Sequence, residues 1–189
     1  MKTEIEKQIK EHIECIQLLG APFIRDIEKL AKLIIKTLKC GKKLILFGNG
    51  GSAADAQHFA CELVGTFLNH KRRGLPAIAL STNTSSLTSI GNDFSFDMVF
   101  QRQIEALAQA KDLCIGISTS GNSKNVYEAL VYAAKRGLPT AAFLGCNGGK
   151  IKGVVDSPLV IPSNSTPRIQ EAHVMIIHIL CTFVDQAFS

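Results

Sequence analysis

Apolar residues recur every three or four positions through the first forty residues of the chain, which is the period of an amphipathic helix. The first apolar set comprises Ile5, Ile9, Ile13, Ile16 and Leu19. The second comprises Phe23, Ile27, Leu30, Ile34 and Leu38. Gly20-Ala21-Pro22 separates the two sets, and Cys40-Gly41 ends the second as glycine commonly ends a helix. The pattern predicts a pair of helices over residues 1–40.

Short apolar runs then alternate with helical stretches. The predicted strands are Lys43–Phe47, Ala77–Leu80, Leu113–Ile117, Thr140–Leu144 and Leu159–Ile161. Each run is continuously apolar, as expected for strands covered on both faces. Strands alternating with helices predict an α/β fold, an open parallel sheet of about five strands with helices on both faces in three layers. We expect a single domain over 1–189, in which 1–40 form an oligomerising helical pair and 41–189 the α/β core.

Composition excludes several classes of protein. The 189 residues are 46% hydrophobic and 20% charged, enough to bury a core and too apolar for a disordered chain. The formal net charge is +5, but the one dense basic cluster, residues 70–73, is too short to follow a nucleic-acid backbone. Six cysteines without a Cys-x-x-Cys pair predict free thiols. The charged N-terminal residues and the lack of a long apolar run predict a cytoplasmic protein without membrane contact.

Two loops after predicted strands could hold a phosphate. Ser118-Thr119-Ser120-Gly121-Asn122-Ser123 follows the third strand and precedes a helix expected over 125–135. Four hydroxyls at a helix N-terminus can surround an anion, although a Ser or Asn there could simply cap the helix. Gly48-Asn49-Gly50-Gly51-Ser52 follows the first strand and lacks both the P-loop lysine and the dinucleotide glycine spacing. Its glycines predict a turn where backbone approaches a small ligand.

The helix after this glycine loop carries the first candidate for chemistry. Ser52 is expected to cap it, and His58 and Glu62 lie one turn apart on one face. An imidazole and a carboxylate so placed can bind a divalent metal or transfer a proton. The alternative is a surface pair of little consequence.

Polar residues on the last helix and after the second strand are further candidates. Gln170 and His178 could reach one site, and the alternative for His178 is a core histidine hydrogen-bonded to a carbonyl. His173 is a competitor for the same role. Asn92 and Asp93 follow a Ser/Thr-rich connection over 81–89. They could bind sugar hydroxyls or cap a helix that runs to residue 108.

These segments, taken in order, resemble the phosphoheptose isomerase family of the sugar isomerase (SIS) fold. The matching segments are Gly48 to Leu63, Ile90-Gly-Asn-Asp-Phe94, Ile117 to Ser123 and Arg168 to His178. The resemblance implies one zinc ion per subunit, with ligands His58, Glu62, Gln170 and His178. It implies substrate contacts from Asn49, Gly50, Gly51, Ser52, Glu62, Asn92, Asp93, Ser118, Thr119, Ser120, Ser123 and Gln170. It also selects Gln170 and His178 over His173, and implies a homotetramer.

The implied reaction converts D-sedoheptulose 7-phosphate to D-glycero-D-manno-heptose 7-phosphate, the first step toward the ADP- or GDP-heptose of bacterial surface polysaccharide, either lipopolysaccharide or capsule. Our hypothesis is that Glu62 and His178 transfer the protons. The competing hypothesis is a non-catalytic adaptor of the same fold that binds the bacterial replication initiator protein. That adaptor's pattern lacks counterparts of Glu62 and His178, which favours the enzyme. A sugar-phosphate-sensing regulator would need a fused DNA-binding domain.

Overall fold

The computed structural model describes residues 1–189 and begins with the expected helical pair. Helix α1 spans Lys2–Gln17 and α2 spans Ala21–Lys39. Gly20 is the residue before α2, whereas Pro22 lies inside the first turn of α2, where its missing N–H removes no helical bond. Gly41 has a φ of +69°, so the chain turns left-handed directly after α2.

Five parallel strands form the central sheet. They are β1 (Leu44–Gly48), β2 (Ala77–Ala79), β3 (Leu113–Ser118), β4 (Thr140–Leu144) and β5 (Ser157–Val160), in the order β2-β1-β3-β4-β5. The other helices are α3 (Gly51–Val64), α4 (Thr84–Asp93), α5 (Gln101–Leu107), α6 (Lys124–Lys135) and α7 (Thr166–Ala187), with 3-10 turns at Phe96–Met98 and Ile151–Val154. The predicted α/β class and three-layer arrangement are confirmed.

Each central strand is buried on both faces, as its continuous apolar run predicts. Successive side chains of β1 point to opposite faces, so Leu44 and Leu46 pack in one core while Ile45 and Phe47 pack in the other. Helices α2, α3 and α7 cover the first face, and α5 and α6 cover the second. The glycine loop and the serine loop therefore meet at the carboxyl ends of the neighbouring strands β1 and β3.

The stretch after β2 departs from the prediction. The Ser/Thr-rich connection is helical, because the Asn83 side chain accepts the Ser86 N–H at 3.0 Å and caps α4. Asn92 and Asp93 end α4, so the alternative that they cap a helix running to residue 108 is wrong. The chain instead makes the turn Phe96–Met98 before α5.

Most of α1 lies outside both cores. Only Cys15 of this helix is buried, and Ile5, Ile9 and Ile13 are each about half exposed. A row of three isoleucines facing water is unfavourable for an isolated chain, because their apolar area has no cover. No helix of the chain combines the length and the apolar character needed to cross a bilayer.

His173 on α7 is the carbonyl-bonded core histidine. Its side chain is fully buried, and Nε2 lies 3.2 Å from the Leu144 carbonyl oxygen while Nδ1 has no partner. Burial lowers the pKa of His173 from 6.5 to about 4, against the opposing effect of the Leu144 carbonyl. The imidazole is therefore neutral in the folded protein at neutral pH.

This burial predicts an acid-dependent loss of stability. Because the unfolded chain binds the His173 proton more readily, the free energy of unfolding falls as pH drops from 6.5 toward 4 and levels off below that. The expected loss is about 3 kcal/mol. Urea unfolding across this range should show a smaller fall for His173→Gln, whereas His70→Gln, in an exposed loop, should follow the wild type. Equal slopes for wild type and His173→Gln would contradict the assignment.

Candidate functional site

The glycine loop brings backbone close to the sheet edge. Gly50 has a φ of +54° and is the N-cap residue of α3, while Ser52 is buried in the first turn and makes no capping bond. The expectation that Ser52 caps α3 is therefore wrong, because α3 begins at Gly51 and Ser52 already lies inside its first turn. A Cβ on Gly48 would lie within 2.9 Å of the Ser52 and Ile117 carbonyl oxygens. Only glycine therefore fits between the start of α3 and the end of β3.

The serine loop folds around its own hydroxyls. The Ser118 and Ser123 hydroxyls lie 2.9 Å apart, and the Ser120 hydroxyl accepts the Asn122 N–H at 3.1 Å. Ser123 is the N-cap residue of α6, but its side chain makes no capping bond. The capping alternative for these hydroxyls is therefore not supported. Ser120 is solvent-exposed at the N-terminus of a twelve-residue helix, where an anion is favoured.

Close packing of Gly121 against Gly148, and a hydrogen bond from the chain after β4, hold the serine loop in its conformation. Gly121 has a φ of +66°, and a Cβ there would overlap the Gly148 carbonyl. The Asn122 amide donates to the Ser120 carbonyl at 2.9 Å and its oxygen accepts the Lys150 N–H at 3.1 Å. The chain after β4 therefore packs against the serine loop and stabilises its conformation.

Paired amides join the glycine loop to the first turn of α6, directly after the serine loop. Asn49 and Asn125 donate to each other through their side-chain amides at 2.8 and 2.9 Å. Asn125 is buried in the first turn of α6, and its Oδ1 also accepts the Val126 N–H. The two loops are thus one hydrogen-bonded unit along the β1 and β3 ends.

Two imidazoles meet between α3 and α7. His58 Nε2 and His178 Nε2 lie 2.8 Å apart with the rings 72° from coplanar, and His58 Nδ1 lies 3.7 Å from the Glu62 carboxylate. Phe67 stacks on the other side of His178 with ring centroids 5.4 Å apart. His178 is half-buried and has a partner, so it is not the unpartnered core imidazole that the apolar helix suggests.

The remaining candidates fall into two groups. Gln170, at the start of α7, has its amide nitrogen against Gly51, so closely that a Cβ on Gly51 would overlap it. Asn92 and Asp93 are exposed at the end of α4, and the Asn92 amide donates to Asp93 at 2.8 Å. Apart from this bond to each other, Asn92 and Asp93 make no side-chain hydrogen bond to the other candidate residues.

Sequence reasoning missed Asp55 and Cys61 on α3. Asp55 is buried with Oδ2 unpartnered, and burial raises its pKa to about 6 despite the opposing charge of His58. Ligand atoms of His58, Cys61 and Glu62 all lie within 4.8 Å of one another. Both residues sit three positions from His58, which is the spacing that could have identified them.

The donor set suits a divalent cation. His58 Nε2 and His178 Nε2 form a hydrogen bond of 2.8 Å beside the Glu62 carboxylate, in which one ring donates and the other accepts. When a cation displaces the shared proton, both nitrogens can offer a lone pair. Two imidazoles and a carboxylate are ligands that zinc accepts. The half-buried Gln170 lies near the start of α7, the helix that also carries His178.

Comparison with known proteins identifies the family of the chain. A family model described as SIS domain matches residues 16–145. A phosphoheptose isomerase of Trichlorobacter lovleyi is 53% identical over 98% of this chain and 94% of its own length, and one of Geobacter metallireducens is 52% identical over 98% of each. The solved phosphoheptose isomerase of Neisseria gonorrhoeae superposes with a TM-score of 0.92 at 41% identity, covering 98% of each chain. That of Francisella tularensis gives 0.93 at 32% identity over 97% of each.

Proposed function

The chain belongs to the SIS domain family, within which it is a sugar-phosphate isomerase of the phosphoheptose isomerase type, and we propose that its substrate is D-sedoheptulose 7-phosphate. The product is D-glycero-D-manno-heptose 7-phosphate, an aldose formed from a ketose without net oxidation. The relatives reported above give no support to the adaptor hypothesis. We further propose that the product feeds ADP- or GDP-heptose for bacterial surface polysaccharide, as lipopolysaccharide or capsule.

The observation that carries the proposal is the meeting of His58, His178 and Glu62 beside the paired loops. An isomerase of this kind needs an acid, a base and a distant phosphate anchor. The imidazole pair with its adjacent carboxylate offers the first two. The serine loop at the start of α6 offers the third.

We assign the substrate contacts to the two loops and the ends of α4 and α7. They comprise Asn49, Gly50, Gly51, Ser52, Glu62, Asn92, Asp93, Ser118, Thr119, Ser120, Ser123 and Gln170. The hydroxyls of the serine loop would hold the phosphate, and the glycine loop would let backbone amides approach the sugar. Support for this division comes from the exposure of Ser120 and from the left-handed Gly50.

In the proposed mechanism, Glu62 and His178 move the proton between the two reacting carbons. One takes a proton from C1 of the ketose, and the electron pair forms an enediolate. The other then delivers a proton to C2, while the hydroxyl proton passes from O1 to O2. The base afterwards releases its proton to solvent water and the acid takes one back, so atoms and charge balance over the cycle. His58 Nε2 lies 2.8 Å from His178 Nε2 and so restricts the orientation of the His178 ring.

We assign His58, Glu62, Gln170 and His178 as ligands of one zinc ion per subunit. When bound, zinc would polarise the carbonyl and hydroxyl oxygens of the sugar and so ease proton loss from carbon. The orphan carboxylate oxygen of buried Asp55 is also consistent with a nearby cation, since burial alone disfavours its charge.

We propose a cytoplasmic homotetramer in which residues 1–189 act as one domain. The exposed isoleucines of α1 support subunit contact through residues 1–40, because an equivalent helix from another copy would cover them. Neither a nucleic-acid partner nor a membrane partner is part of the proposal.

The function is tested by incubating purified protein with sedoheptulose 7-phosphate and following the aldose product. We expect turnover with zinc, loss of turnover after exhaustive chelation, and recovery when zinc is restored. Magnesium alone should not restore it, because two imidazoles are poor ligands for that ion. No product under zinc-replete conditions would favour the adaptor hypothesis instead.

A further inference from the structure

A buried ion pair joins the two helices that carry the candidate metal ligands. The Arg72 side chain is fully buried, and its Nε donates to Asp185 Oδ1 at 2.6 Å. Asp185 lies on α7 seven residues after His178, which is about two turns along the same face. Arg72 lies in the segment that follows α3, ten residues after Glu62. The pair therefore lies next to the end of α3 and to α7, the two helices that carry the proposed ligands, but neither residue is itself a proposed ligand.

The other guanidinium donors hold the end of α3. They reach the backbone carbonyls of Glu62 at 2.7 Å, Leu63 at 2.9 Å, Gly65 at 3.4 Å and Arg73 at 2.8 Å. The last carbonyls of a helix have no partner inside it, so this one side chain completes the end of α3. Glu62, a proposed ligand and proton carrier, is thus fixed through its own backbone.

Asp185 holds the segment that contacts His178. Its Oδ2 accepts the backbone N–H groups of Leu68 at 2.7 Å and Asn69 at 2.8 Å. Burial would raise the pKa of Asp185, but these N–H groups and the Arg72 guanidinium outweigh it and lower the pKa. The residue just before them, Phe67, stacks on the His178 imidazole at an interplanar angle of 22°. Asp185 therefore fixes the ring that sets the orientation of His178.

We propose that Arg72 and Asp185 are positioning residues that hold the His178 imidazole against His58 and Glu62 and thereby set the metal affinity of the site. The inference rests on the metal site assigned under the proposed function. Neither residue is among the proposed metal ligands or substrate contacts, so their effect passes through Phe67, the end of α3 and α7. Mutating a residue that orients a metal ligand without touching the metal commonly weakens metal affinity by about 10-fold to 100-fold.

Asp112 provides a matched control at the opposite end of the sheet. It is buried just before β3, accepts the backbone N–H groups of Lys43 and Gln109, and pairs with the Lys43 ammonium. Asp112→Asn and Asp185→Asn thus remove the same kind of contact, one buried carboxylate with two backbone bonds and one cation. Only the second lies beside the metal site.

The test compares wild type, Asp185→Asn and Asp112→Asn at a temperature where all three are folded. The zinc dissociation constant is measured by competition with a chromophoric chelator, and we expect Asp185→Asn to raise it about tenfold or more and Asp112→Asn to leave it within about twofold. In the metal-free protein, the NMR shift that the Phe67 ring current imposes on the His178 ring protons should be lost in Asp185→Asn alone.

Wild-type zinc affinity and wild-type His178 shifts in Asp185→Asn would overturn the proposal. If the wild type binds no zinc, the metal assignment fails, and the His178 shifts of the metal-free proteins alone decide the positioning role. If Asp185→Asn does not fold, Arg72→Lys is measured in the same way. That variant retains the charge but lacks the planar fork that reaches the carbonyls at the end of α3.

Discussion

Replacing Glu62 by glutamine is expected to lower kcat by about 10³-fold or more while leaving the protein folded. Glutamine keeps the size of the side chain but cannot accept or deliver a proton at neutral pH. The fold should tolerate the change because the Glu62 carboxylate contacts only His58 at 3.7 Å and the weak Cys61 thiol donor at 3.9 Å. The contact that secures the end of α3 uses the Glu62 backbone carbonyl, which the substitution retains.

The measurement is the steady-state rate with sedoheptulose 7-phosphate at saturating zinc, together with the thermal midpoint and bound zinc. Zinc occupancy separates loss of proton transfer from loss of metal, because Glu62 is assigned to both. Glu28→Gln, on the exposed face of α2, removes the same charge far from the site and should match the wild type. A Glu62→Gln enzyme that retains more than about a tenth of the wild-type kcat would remove Glu62 from the mechanism.

Gly121→Ala is expected to raise the KM for the sugar phosphate by about tenfold or more and to destabilise the protein by about 2–4 kcal/mol. The residue combines a φ of +66° with a Cβ position that overlaps the Gly148 carbonyl. Because the obstacle is backbone rather than a flexible side chain, the serine loop must move away from the chain after β4. That movement displaces the Ser120 hydroxyl and the first N–H groups of α6 from the phosphate.

Gly137→Ala separates steric overlap from backbone strain. Gly137 has a φ of +70°, but nothing lies within 4 Å of its Cβ position. The free energy of unfolding of Gly137→Ala should therefore fall only by the cost of a left-handed alanine, about 1–2 kcal/mol, and its KM should be unchanged. Inhibition by inorganic phosphate should weaken in Gly121→Ala and not in Gly137→Ala. Equal KM values in the two alanine variants would show that the serine loop does not hold the phosphate.

The strands and the two leading helices could be predicted because each has a simple apolar pattern, a continuous run in the strands and a helical period in the helices. Continuous apolar runs identified β1, β3 and β4 to within a residue at each end, since strands buried on both faces need apolar side chains at every position. The predicted edge strand began at Leu159 whereas β5 begins at Ser157, because Ser157 and Pro158 do not belong to an apolar run and an edge strand tolerates both. Helix α4 escaped prediction because its serines and threonines have weak helix propensity, and the Asn83 cap outweighs that weakness.

The candidate site was only partly predictable, for a geometric reason. The His58 and Glu62 pair follows from spacing on one helix, but the approach of His178 depends on how α3 packs against α7, which no local pattern encodes. Spacing on the last helix suggested Gln170 and His178, and the resemblance selected them over His173. The structure brings His178 to His58 and Gln170 to Gly51. Arg72 and Asp185, separated by more than a hundred residues, gave no signal in the sequence beyond their charge.

The paired amides of Asn49 and Asn125 have a consequence for which sugars the enzyme accepts. They tie the start of α6, directly after the serine loop, to the glycine loop, and the glycine loop leads directly into the helix that bears His58. If the serine loop holds the phosphate as proposed, the distance from the phosphate to the histidines is set by this scaffold. We therefore expect a sugar phosphate with fewer carbons between its phosphate and its carbonyl to reach only one of the two places, so the scaffold would select substrates by chain length.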